Sequence, residues 1–178
     1  NRNPFASICG RVCFHICESK CRRSVLDSAV CIRGVKRFMA DQEITIQLPE
    51  VRENPVNAKR KIAIVGSGPA GLSCAYFLAR LGYRPKVLEA EQRPGGMLVQ
   101  TIPAYRLPRE VVAREIRMIE KMGVDIQTGK RLGKDFTLSS LRDEGYEAVF
   151  LAVGCPIGVR LKIAGSDVEL IDIPGNSH

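Results

Sequence analysis

No stretch of this sequence approaches the roughly 20 consecutive apolar residues that a membrane-crossing helix needs, and its N-terminus has no apolar signal region. The expected location is therefore cytoplasmic, with no membrane partner. Tryptophan is absent, and histidine occurs only as His15 and His178. No convincing acid–base pair stands out, so no catalytic residue is assigned. Acids are scarce at one end. Residues 1–40 hold eight Lys/Arg against Glu18 and Asp27, which accounts for most of the net charge of +8. A basic segment of this kind suggests nucleic acid. It lacks interleaved stacking aromatics and any recognised nucleic-acid motif, so no such partner is expected. Compensation of buried anionic charge is the other reading, and a group of thiolates is such a charge.

What is present points the same way. Five of the seven cysteines fall in the first 31 residues: Cys9, Cys13, Cys17, Cys21 and Cys31. The count is odd and no secretion signal accompanies it, which argues against a disulfide framework. Cys9, Cys13, Cys17 and Cys21 recur every four residues, a spacing that would line them along one face of a helix. Iron–sulfur ligation, a zinc site and buried unreactive cysteine all remain open on spacing and charge alone. His15 sits inside the segment and could be a ligand, although a partly exposed side chain is the commoner case. Cys31, Cys74 and Cys155 are expected in the core.

The chain is long enough for one domain, or one domain with a small satellite. Composition divides it into a Cys-rich segment (1–43), a linker (44–59) carrying the short extended stretch ITIQL, and an alternating strand–helix region (60–178). Strands are expected at 61–65, 86–89, 124–127 and 148–153, the last as a buried strand. Helices are expected at 28–40, 70–81, 108–122 and 139–144. Apolar Val111, Val112, Ile116 and Ile119 mark the inner face of the third. The alternation predicts an α/β fold with a parallel, doubly wound, Rossmann-like sheet behind a small helical Cys-rich segment.

The strongest motif is KIAIV-GSGPAG-LSCAYFLARLG. Gly66, Gly68 and Gly71 fit G-x-G-x-x-G between a strand and a helix. The first glycine allows the tight turn, the second lets backbone approach a pyrophosphate, and the third lets helix and sheet pack closely. Pro69 suits the first helical turn, and the helix N-terminus favours the phosphates. Glu89, at the end of the second strand, stands where a carboxylate accepts ribose hydroxyls and repels a 2′-phosphate. The loop should prefer FAD or NAD over NADP. A second glycine turn, Pro94-Gly95-Gly96-Met97, either lets backbone approach a longer cofactor or is an ordinary surface turn.

With these motifs in view, NPFASICGRVCFHICESKCRRSVLDSAVCIRGVKRF resembles the cluster segment of the glutamate synthase small (beta) subunit family. KIAIVGSGPAGLSCAYFLARLGY, PGGMLVQTIPAYRLPREVVAREI and GYEAVFLAVG resemble that family's FAD-binding domain. The N-terminal part of dihydropyrimidine dehydrogenase is similar. The resemblance implies electron flow from NADPH through FAD to 4Fe–4S clusters and on to a redox partner subunit or domain. It implies Cys13, Cys17 and Cys21 as cluster ligands, with Cys9 matching a family cysteine of less certain role. It implies FAD contacts at Val12, Gly68, Pro69, Ala70, Gly71, Leu72, Glu89, Gly96, Met97, Arg106 and Leu132, with Gly154 a further one. The family has more cysteines upstream and a second dinucleotide domain for NADPH. The expectation is thus a fragment with an incomplete ligand set. Phe14 and Ile16 depart from the family by standing where prolines are common. Two other readings compete. A FAD disulfide reductase would need a close redox cysteine pair, and none occurs beyond residue 60. A zinc-stapled, non-catalytic nucleotide-fold interaction domain would carry zinc without flavin.

Overall fold

The computed structural model describes residues 3–42 and 54–155. The ITIQL stretch, the tail from residue 156 and His178 lie outside the described residues. The first strand, β1 (Ile62–Val65), pairs in parallel with β2 (Lys86–Leu88) on one side and β4 (Ala148–Leu151) on the other. β3 (Asp125–Gln127) adds beyond β2, giving the order β3-β2-β1-β4. That is the half-sheet order of a doubly wound dinucleotide fold. Ala63, Ile64 and Val87 are fully buried in its middle.

Two helices cover one face. α5 (Pro69–Arg80) follows β1, and its Leu72, Ala75, Tyr76 and Ala79 are fully buried. α7 (Arg109–Lys121) lays Val111, Val112, Ile116 and Ile119 into the same core, as its apolar period dictates. The other face has a smaller cluster. There Leu141 of α8 (Leu138–Asp143) meets Ala63 and Leu88. Thr137 and Ser140 start α8 with a reciprocal capping box.

The Cys-rich segment contains α1 (Ala6–Val12), α2 (Ile16–Ser19), a 3₁₀ turn at Arg22–Val25 and α3 (Ile32–Gln42). α1 docks on the main core through Phe5 and Ile8. α3 crosses α1 closely, because Gly10 has no side chain: a Cβ there would lie 2.7 Å from the Arg37 Cα. Two further elements were not foreseen in sequence. α4 (Pro55–Lys59) occupies part of the expected linker, capped by the Asn54 side chain at 3.1 and 3.2 Å. α6 (Met97–Gln100) follows the second glycine turn.

Three expectations change. The helical face of four cysteines does not exist. α1 ends at Val12, Cys13 is extended, and His15 takes a left-handed conformation (φ 46°) before α2 begins. The apolar run at 148–153 is not a buried strand. β4 is an edge among the described residues, with Phe150 42% and Leu151 53% exposed. Cys31 and Cys155 are exposed, whereas Cys74 packs against the core, where burial raises its pKa.

Candidate dinucleotide site and thiol segment

The loop from β1 to α5 is braced before any ligand arrives. Gly66 N–H donates to Leu88 O at 2.8 Å, tying the turn to the end of β2. Gly66 has φ +100°, a conformation that excludes ordinary side chains, and a Cβ there would also strike Ala152 O. A Cβ on Gly71 would collide with Gly66 O, so the third glycine seats the helix on the turn. Gly68 differs from both. A Cβ at that position meets nothing within 4 Å, so this backbone faces open space. Gly68 is also the N-cap of α5 and supplies no side-chain cap. The first-turn amides are then the orphan donors of a 12-residue helix, whose dipole adds partial positive charge. Pro69 opens that turn, Ala70 is exposed, and the Leu72 side chain is fully buried. Leu72 N–H already donates to Gly68 O. Free amides at a helix N-terminus favour an anionic group.

Glu89 has a structural duty that its place in the motif does not announce. Its Oε2 accepts the Ser67 N–H at 2.8 Å and also the Ser67 hydroxyl, while Oε1 accepts the Glu91 N–H at 2.8 Å. The side chain is buried. The carboxylate thus locks the glycine loop onto the end of β2, and the lone pairs left over are those available to a ribose hydroxyl. Ser67, fully buried, is the residue that sequence reading missed. As the "x" of G-x-G it carries no motif weight, and its role depends on a carboxylate 22 residues away.

The second glycine turn belongs to the same site. Gly95 N–H donates to the Ser67 carbonyl and hydroxyl oxygens, both at 3.1 Å. A Cβ on Gly96 (φ +52°) would come within 2.9 Å of Gly68 Cα. Residues 94–97 therefore lie backbone-to-backbone against the glycine loop at 66–71. Met97 starts α6 and is 56% exposed. Arg106 lies exposed on the following loop and takes part in no ion pair among the described residues. Lys130 N–H donates to Glu89 O at 2.7 Å, and Arg131 pairs with Glu91 at 3.1 Å, bringing half-buried Leu132 to the same end of the sheet. Ala152 N–H donates to Val65 O at 2.8 Å, so exposed Gly154 follows a strand end beside the loop.

The thiol segment is organised differently. Val12 and Cys9 are half-buried and pack against the main core at the end of α1. Cys13 and Cys17 are exposed. Backbone N–H groups of Val30, Arg23 and Ser24 point at the Cys21 sulfur and lower its pKa, Val30 having the largest effect. The His15 N–H lies 3.4 Å from the Cys13 sulfur. His15 Nδ1 faces Glu18 at 3.1 Å, and Glu18 in turn accepts the Arg33 N–H at 2.8 Å. Backbone donors aimed at sulfur suit a thiolate ligand. Yet among the described residues no three His, Cys, Asp or Glu side chains converge tightly enough to hold a metal. The segment as it stands is not a closed metal cage.

Comparison with known proteins agrees with both regions. Residues 64–121 match the family of NAD(P)-binding Rossmann-like domains, and residues 1–48 match dihydropyrimidine dehydrogenase domain II, 4Fe-4S cluster. The chain is 40% identical to the NADP(+)-dependent formate dehydrogenase subunit beta of Moorella thermoacetica, over 93% of this chain and 26% of that protein. It is 44% identical to the NADPH-Fe(3+) oxidoreductase subunit beta of Geobacter sulfurreducens, over 92% and 25%. It is 37% identical to the NAD-dependent dihydropyrimidine dehydrogenase subunit PreT of Escherichia coli K12, over 94% and 41%. The chain thus spans between a quarter and two fifths of these relatives. Among solved structures, Mycobacterium tuberculosis FprA in complex with NADPH shares the fold at a TM-score of 0.50 and 23% identity, over 61% of this chain and 25% of that one. No helix among the described residues is long and apolar enough to cross a membrane. The chain therefore joins a Rossmann-like dinucleotide-binding fold to a segment matching a 4Fe-4S domain, and along nine tenths of its length it is similar to oxidoreductase subunits named for NAD or NADP.

Proposed function

We propose that this chain is the FAD-binding electron-transfer module of an NAD(P)H-dependent iron–sulfur oxidoreductase of the kind the glutamate synthase small subunit represents. The observation that carries the reading is the open backbone at Gly68, flanked by orphan amides and braced by Ser67 and Glu89. The first turn of α5 would hold the diphosphate and Glu89 the adjoining ribose. The 94–97 turn, close against Gly68, would extend the floor of the site past the diphosphate. A longer cofactor than a mononucleotide is what such an extension serves. Met97, Arg106, Leu132 and Gly154 surround the remaining space in this assignment. Bound flavin would supply the conversion between two-electron and one-electron transfer. The protein's own part is to bind, orient and exclude water.

The thiols of Cys13, Cys17 and Cys21 are assigned as part of a cluster ligand set, completed by groups from outside this segment. NADPH is assigned to a further domain, and a redox partner subunit to the electron exit. The match of residues 1–48 and the names of the relatives support these assignments. A cytoplasmic setting fits free cysteines in this number.

The test is anaerobic purification followed by an absorption spectrum, release of bound cofactor by denaturation, and titration with FAD, NADH and NADPH. Flavin absorbance with saturable FAD binding is expected. A protein that stays colourless with FAD present, or that takes NADH in preference, overturns the FAD assignment. Zinc without flavin would favour the interaction-domain alternative.

A further inference from the structure

Glu115 is buried, 6% exposed, on the inner face of α7, and neither the dinucleotide loop nor the thiols use it. Its Oε1 accepts the Ser7 N–H at 2.6 Å, and Oε2 lies 3.4 Å from the Ile8 nitrogen, in line with its N–H. These are first-turn amides of α1, which has no side-chain cap of its own. The carboxyl group of one region therefore terminates a helix of the other, across more than 100 residues of sequence. Its neighbour Arg114 donates to the Ser7 hydroxyl at 2.8 Å and approaches Asp41 at 4.0 Å. Asp41 also pairs with Arg11 of α1 at 2.7 Å and with Arg37 of α3 at 3.7 Å. Since α1 and α3 cross tightly at Gly10, whatever fixes α1 fixes the pair. Phe5 and Ile8 supply apolar adhesion, which has no direction. Hydrogen bonds to Ser7 and Ile8 supply the angle.

We propose that Glu115 is the positioning residue that sets the α1–α3 pair, which brackets Cys13, Cys17 and Cys21 in sequence, against the dinucleotide domain. Its purpose, holding the thiols at a fixed distance from the flavin, rests on the reading under "Proposed function". The charged groups of the junction are Arg11, Arg37, Asp41 and Arg114. Burial pushes Glu115 up to about 7, against the opposing pull of the Ser7 and Ile8 amides, the Ser7 hydroxyl and Arg114. The protonated group keeps the Ser7 N–H on Oε1, and the Ser7 hydroxyl beside the carboxyl is a partner for its proton. A glutamine reproduces that pattern at every pH.

The experiment is hydrogen exchange, read as protection factors on the α1 amides of the full chain from pH 5 to pH 8, in the wild type, Glu115→Gln and Glu115→Ala. FAD binding is titrated in parallel. In Glu115→Ala the α1 amides should exchange about tenfold or more faster, while those of β1 and β2 stay within about twofold. Wild-type α1 protection should fall as pH rises through about 7, and Glu115→Gln should keep α1 protected without that fall. Unchanged α1 protection in Glu115→Ala overturns the proposal, and so does a Glu115→Gln protein that retains the wild-type pH response. If Glu115→Ala does not fold, the Glu115→Gln pH response decides alone. A wild-type chain that binds no FAD overturns the redox reading, and leaves Glu115 to be judged by the exchange pattern.

Discussion

The dinucleotide loop and the thiol segment lie in one short chain and are built on opposite terms. Around residues 66–71 nearly every brace is internal: Gly66 to Leu88, Ser67 to Glu89, Gly95 to Ser67. Ser67 and Gly71 are buried here and the Ser67 polar groups have partners, while Pro69 and Ala70 are exposed beside the free first-turn amides. Between Cys13 and Val30 no residue is buried, and Phe14, Val25 and Leu26 are each 86% exposed. The first region is shaped by its own sequence. The second has backbone N–H groups around the Cys21 sulfur, and among the described residues no three His, Cys, Asp or Glu side chains converge to hold a metal. Preorganisation of this kind favours binding because little ordering remains to be done on association. A segment with no buried residue must still order its parts on any association.

Breaking the first region should have the largest effect. Gly71→Val places a side chain against Gly66 O; displacing the turn by overpacking costs about 3 kcal/mol, so FAD affinity measured by fluorescence titration should fall about 100-fold or more. Glu89→Ala should come next. It strands the buried Ser67 N–H and hydroxyl, and thermal unfolding should show a loss of about 2 kcal/mol in the absence of any cofactor. Third is the junction between the two regions. Glu115 has a folded pKa raised from 4.5 to about 7, so the folded protein binds more protons than the unfolded chain between those values. Stability therefore falls as pH rises across that window. The difference between wild type and Glu115→Gln should change by about 3 kcal/mol from pH 4.5 to pH 8, followed by denaturant titration. The smallest effect should come from the second region. Cys13→Ser, Cys17→Ser and Cys21→Ser should each alter the unfolding free energy of the isolated chain by about 0.5 kcal/mol or less, while lowering the iron and sulfide taken up on anaerobic reconstitution. A large stability loss from any of them would erase the contrast between the regions.

The sequence disclosed most where a local rule suffices. The period of Val111, Val112, Ile116 and Ile119 located the inner face of α7, and the glycine spacing located the loop between β1 and α5. It disclosed least where the deciding contact is distant. Glu115 sits within that same apolar face, and nothing in α7 indicates that Ser7 and Ile8 will meet its charge. The regular spacing of Cys9, Cys13, Cys17 and Cys21 suggested one helix, because spacing is blind to the left-handed turn at His15. The strand at 148–151 was identified by composition, but apolar composition alone does not say which strand stands at the edge. The second glycine turn could be weighed only once its contact with Gly68 was visible.

That outer position of β4 has a practical consequence. Its outward-facing peptide groups lack a neighbouring strand among the described residues, and Phe150 and Leu151 lie half-bare beside them. Such a flank is a template onto which another polypeptide can add. Among the described residues β3 forms the other flank of the sheet, and the net charge of +8 opposes such addition between copies of the chain.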